Sequence, residues 1–127
     1  MTHRRGTAIV EIKKGILLTA INKTFLLPGG RCKKGETRFL AAIRELKEET
    51  GLLAYDAKII FNLESKSNRH TVVLIKAKGT ARPRQEVNKI HYYNLGDSIR
   101  MSQGTKLILK KYYEWKVVHT KPSNQKI

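Results

Sequence analysis

One segment, residues 30–52, constrains the architecture of this chain more than any other. Between Thr37 and Thr50 the apolar residues Phe39, Ala42, Ile43 and Leu46 recur at spacings of three and four, which predicts a helix with one buried stripe. Gly51 follows as the residue that tolerates the left-handed backbone on which helices end. A helix with one apolar stripe needs a layer to pack against, so the neighbouring runs of Ile, Val and Leu decide the fold class.

Those runs are short and read as strands. Residues 7–12 and 15–21 adjoin across Lys13-Lys14, and a third run at 24–27 is stopped by Pro28-Gly29-Gly30, which reads as a turn. Its glycines leave room for close backbone approach to a ligand. After the helix, 57–63 and 70–77 are strands joined by a polar loop, and the nearly unbroken Thr71-Val72-Val73-Leu74-Ile75 predicts a central strand covered on both faces. A basic loop at 79–85, a strand at 90–93 and a second helix holding Leu107, Ile108, Tyr112 and Trp115 complete the pattern. The expected architecture is α/β, two helices on opposite sides of a mixed sheet. It forms one domain over residues 1–118 with a frayed polar tail at 119–127.

The helix carries chemistry as well as packing. Glu45, Glu48 and Glu49 stand at i, i+3 and i+4, so their carboxylates leave one face. Like charges at that spacing repel by roughly 0.2–0.5 kcal/mol per pair, and acids in a last turn oppose the helix dipole by about 0.3–1 kcal/mol each. A cation is therefore expected among them. Arg44 and Lys47 are at hand, but a divalent ion is the better candidate, because hard Mg²⁺ or Mn²⁺ prefers clustered carboxylate oxygens. The three glutamates alone also allow a merely solvated acidic helix end.

The spacing of the fixed residues is more specific. Gly30, five residues, Glu36, seven residues, Arg44-Glu45-Leu46, one residue, Glu48-Glu49, one residue and Gly51-Leu52 resembles the Nudix hydrolase signature at every fixed position. The resemblance implies the α/β/α sandwich of that family. It also implies hydrolysis of a nucleoside diphosphate linked to another group, by water activated on a metal. By matching position, Glu48 and Glu49 look like the principal metal ligands, Glu45 like a further ligand or the base that orients water, and the Gly29 carbonyl like another metal contact. Arg44 looks like an orienting residue. For Glu36, pairing with Arg44 and holding metal through water both stay open. Glu86, after Ala81-Arg82-Pro83-Arg84-Gln85, falls where several members place an extra metal-binding or base glutamate; a plain surface acid is the other reading.

Charge points to the partner. Twenty-six basic against ten acidic residues give a net charge of +16, and outside residues 30–52 the balance is twenty to six. An acidic metal site in a positive field suits a polyanion. Arg4, Arg5, Lys33, Lys34, Arg82 and Arg84 are candidates for binding substrate phosphates, and Phe25, Tyr92 or Tyr93 for stacking on a base, with core packing as the alternative for each aromatic. The expected substrate is a nucleoside triphosphate or related phosphate-rich nucleotide. An RNA 5′ end, a diphosphoinositol polyphosphate, or binding of RNA without turnover are alternatives. Ser67-Asn68-Arg69 occupies the region where some subfamilies carry a proline or tyrosine marker, which weakens ADP-ribose, dinucleoside polyphosphate and NADH readings. The lone Cys32, read as incidental, and the absence of a signal-like or membrane-spanning run point to the cytoplasm, with no membrane contact, as monomer or homodimer.

Overall fold

The computed structural model describes residues 2–119. In chain order the elements are β1 (His3–Ile9), β2 (Glu11–Ile12), β3 (Gly15–Ile21), β4 (Thr24–Leu26) and β5 (Gly29–Arg31). Then follow α1 (Arg38–Thr50), β6 (Leu53–Glu64), β7 (Asn68–Lys78), β8 (Lys89–Tyr93) and α2 (Gln103–His119). One mixed sheet has the order β5-β1-β7-β6, with β1 and β7 parallel and the other pairs antiparallel. In a second, antiparallel sheet β8 lies along one edge of β3, while β2 and β4 follow one another along the other.

The two-residue period of the strands divides the core between the helices. Ala8, Leu17, Val73 and Ile75 pack with Ala42 and Leu46 of α1, whereas their neighbours Ile9, Ile16, Leu18 and Val72 pack with Ile108, Leu109 and Tyr112 of α2. The molecule is thus the expected α/β/α sandwich. β7 is central, with Val72 and Val73 both fully buried, as its unbroken apolar run predicts. Phe25 and Tyr93 belong to the α2-side core and Tyr92 packs against the α1-side core, so all three aromatics serve packing.

Several boundaries differ from expectation. Gly29–Arg31, read as a turn, is strand β5, because glycines without side chains can lie flat along β1. The run at 7–12 splits at Val10, sending β1 into one sheet and β2 into the other. β1 and β6 begin at His3 and Leu53, four residues earlier than their apolar runs suggest, since backbone pairing with β7 continues past the apolar side chains. His119, assigned to the tail, is the last residue of α2, and the rest of that tail lies outside the described residues.

Candidate active site

The placement of α1 rests on its ends and on two glycines. Thr37 Oγ1 accepts the Leu40 N–H at 3.1 Å at the N-terminus, and Gly51, at φ 81°, donates its N–H to the Lys47 carbonyl at 2.8 Å. The loop after β7 satisfies further C-terminal carbonyls: Arg82 N–H donates to Thr50 O and Arg84 N–H to Glu49 O, each at 3.0 Å. Gly6 and Gly30 face each other in the β1–β5 register. A Cβ at Gly6 would collide with the α1 backbone at Arg38 and Ala42, and one at Gly30 with the Glu45 carboxylate. These two positions therefore let the helix lie directly on the sheet and set Glu45 against β5.

Arg44 organises the polar face. Its Nε and Nη2 grip both oxygens of Glu36 at 2.8 and 2.9 Å, and Nη1 donates to Glu45 Oε2 and Glu48 Oε1, each at 3.1 Å. Nη2 also reaches the Arg31 carbonyl at 3.2 Å, tying the hub to β5. The hydrogen bonds from Arg44, with a second from the Lys33 N–H, pull the Glu36 carboxyl down to about 2. Glu36 thus pairs with Arg44 as a carboxylate, one of the two roles the sequence left open. The same bond to Glu36 raises the Arg44 guanidinium above its ordinary value.

Glu49 sits deeper. Its Oε1 accepts the Gly29 N–H at 3.3 Å. Burial, then the like charge of Glu45 and a hydrogen bond shared with it, push the Glu49 carboxyl up to about 8, although the Gly29 N–H and the charge of Arg5 oppose this. Among the described residues no three His, Cys, Asp or Glu side chains gather into a metal-ready group. Arg44 bonds to Glu45 and Glu48, whereas Glu49 shares a hydrogen bond with Glu45. The pair that does meet, Glu45 and Glu49, supplies crowded carboxyl oxygens beside a glycine backbone, and with the shared proton lost that donor set fits a hard divalent cation.

On the α2 side of the sheet a cleft of about 480 Å³ opens between β1, β7 and the start of α2. Arg5 lines it and is the link to the carboxylates, since its charge acts on Glu49 and Glu45. Arg5 Nε is fully buried and makes no hydrogen bond, the one such side-chain atom among the described residues. Beside Arg5, its register partner His70 has Nδ1 2.9 Å from Thr7 Oγ1 and Nε2 3.4 Å from Ser65 Oγ.

The other expected phosphate-binding residues occupy two rims. Arg4 and Lys33 line a hollow of about 320 Å³ with Arg31, Lys34 and Cys32. Arg84 borders another with Arg44, Lys47 and Glu48. Arg82 is exposed in the same loop. Glu86 is exposed in the turn that follows and makes no ion pair among the described residues. Thr7 and His70 went unnoticed in the sequence. The available signal was a pair of polar residues at the ends of otherwise apolar strand runs.

A helix bearing clustered carboxylates on an α/β/α sandwich, with Arg5 between sheet and cleft, is the framework of a phosphate-acting enzyme. The family model for the NUDIX domain matches residues 2–115, and the chain belongs to that family as a Nudix hydrolase. It is 29% identical over 100 residues to the ADP-ribose pyrophosphatase of Methanocaldococcus jannaschii, covering 72% of this chain. The match spans 59% of that relative's length. Among solved structures, a protein of Chromobacterium violaceum assigned to the nudix hydrolase family superposes with a TM-score of 0.86 at 33% identity, over 91% of this chain and 79% of that one. An ADP-ribose pyrophosphatase from Streptococcus suis superposes with a TM-score of 0.78 over 95% of each chain at 19% identity, which shows the shared fold. No helix among the described residues is long and apolar enough to cross a membrane.

Proposed function

We propose that this chain is a Mg²⁺- or Mn²⁺-dependent pyrophosphohydrolase that cleaves a nucleoside diphosphate joined to a sugar, of the ADP-ribose class. The observation that carries this reading is the unpartnered Nε of Arg5, a residue that lines the cleft and whose charge acts on Glu49 and Glu45. A buried donor without a partner costs about 1–3 kcal/mol, which an anionic oxygen placed there would recover. The rest of the lining is mainly hydroxyl, amide and apolar, with Lys66 the only other ammonium or guanidinium group. That lining suits a nucleoside and a neutral sugar flanking one diphosphate better than a third phosphate. The M. jannaschii relative supports the same class.

Glu45, Glu49 and the Gly29 carbonyl would hold the metal, with Glu48 joining once it leaves Arg44. When bound, the metal supplies charge neutralisation at the phosphate oxygens and a more acidic water. The chain's own groups do the remainder. Arg5 binds and orients the diphosphate, Arg44 fixes the carboxylates through Glu36, and Glu45 serves either as a further metal ligand or as the base that takes a proton from the attacking water.

A nucleoside triphosphate is the second reading, favoured by the cations on both rims. A panel of ADP-ribose, other nucleoside diphosphate sugars, triphosphates, RNA and diphosphoinositol phosphates with Mg²⁺ separates the two. ADP-ribose should yield AMP and ribose 5-phosphate with the highest kcat/KM. Preferred release of pyrophosphate from a triphosphate would replace the first reading with the second, and RNA binding without turnover of any substrate would overturn both.

A further inference from the structure

Strand β6 ends the mixed sheet: β7 covers one edge, and among the described residues no strand pairs with the other. It is twelve residues long, contains no proline, and leaves Leu53, Tyr55 and Ile59 about half exposed or more. Soluble proteins usually blunt such edges with prolines, bulges, charges or short length. Here bulges lie between Ala54 and Asp56 and between Ile59 and Phe61, but Asp56, Ala57, Lys58 and Ile59 pair with β7 without interruption. At the centre of that regular stretch Asp56 and Lys58 share one face of the sheet. Asp56 makes no ion pair among the described residues, and the Lys58 ammonium lies 5.6 Å over the Trp115 ring.

We propose that this edge docks a second copy of the chain, β6 against β6, antiparallel about a two-fold axis at Ala57. A two-fold contact is self-complementary, so residues equally spaced before and after the axis face one another. With the axis at Ala57, each Asp56 faces Lys58 of the second copy, and Tyr55 faces Ile59. An axis at Asp56 or at Lys58 would oppose like charges, and an axis halfway between neighbouring residues would leave both charges facing alanine or an apolar side chain. Within the uninterrupted stretch from Asp56 to Ile59, only the Ala57 axis satisfies charge and apolar surface together. β5 and the carboxylates lie at the opposite edge of the sheet, so the active site stays open.

The test is sedimentation equilibrium of the full chain at about 0.15 M salt, where the Debye length of about 8 Å screens the overall positive charge while close pairs persist. A concentration-dependent dimer is expected. Asp56→Lys and Lys58→Asp should each raise its Kd on the order of tenfold or more, because each makes two symmetric pairs repulsive. The double exchange Asp56→Lys/Lys58→Asp should restore the wild-type Kd. Ile59→Lys should also weaken the dimer, by a route independent of the charge pair. A monomer at all concentrations, a dimer indifferent to the single changes, or no rescue by the double exchange would overturn the proposal. Circular dichroism of each variant separates loss of pairing from loss of fold.

Discussion

Arg4 and Arg5 are adjacent in the chain, yet the strand period sends one over the α1 face of β1 and the other into the cleft beneath α2. Arg4 donates weakly to the Glu36 carbonyl at 3.4 Å, while Arg5 keeps a buried donor free. Arg5→Met should therefore lower kcat/KM for the preferred substrate by roughly 10–100-fold, the range of a lost hydrogen bond to a charged group. Arg4→Met should cost far less, and equal losses for the two would remove Arg5 from the site. His70 offers a different check. Burial, with Arg5 adding to it, pushes its pKa down to about 4 from the ordinary 6.5. Above about pH 6.5 it is neutral in both folded and unfolded chains and costs nothing. Between about 6.5 and 4 only the unfolded chain takes the proton, so stability should fall by up to about 1.4 kcal/mol per pH unit. Urea midpoints across that window should fall less in His70→Gln than in wild type. An identical fall would assign the effect to other groups.

At the level of elements, α1 was the most legible part of the sequence. Its stripe and its Gly51 stop are local signals, and the helix begins one residue after the expected start, with Thr37 as its cap rather than its first residue. Thr37→Ala should cost about 1 kcal/mol in an equilibrium unfolding experiment, by removing the bond to the Leu40 N–H. A change near zero would mean that packing on Gly6 and Gly30 alone sets the helix start. β5 was not legible, because Gly29 and Gly30 carry no side chains from which a strand pattern can be read. The division of strands between two sheets was equally hidden. It depends on long-range register, such as Thr7 beside Val72, and on the break at Val10, which no local periodicity records. Within the site the signature glutamates could be found from spacing, whereas their sorting into an Arg44-held set and a Glu45–Glu49 pair required the fold.

Taken whole, the molecule places an acidic pair inside a strongly cationic surface. The sheet brings β1 and β5 under α1 and sends Arg5 to the cleft on the α2 side, while Arg4 with Lys33 and Arg44 with Arg84 line separate basic hollows. The sequence correctly indicated a positive field around an acidic site, but it grouped as equals cations that the fold distributes among a cleft and two rims. The central claim is that Glu49, with Glu45, carries metal-dependent hydrolysis beside the cleft. Its most direct test is the rate of AMP release from ADP-ribose with saturating Mg²⁺, compared between wild type and Glu49→Gln, with Mn²⁺ binding followed by electron paramagnetic resonance on the same samples. The predicted result is a loss of roughly a thousandfold or more in kcat together with weakened Mn²⁺ binding. Turnover and Mn²⁺ binding that both survive the substitution would contradict the account.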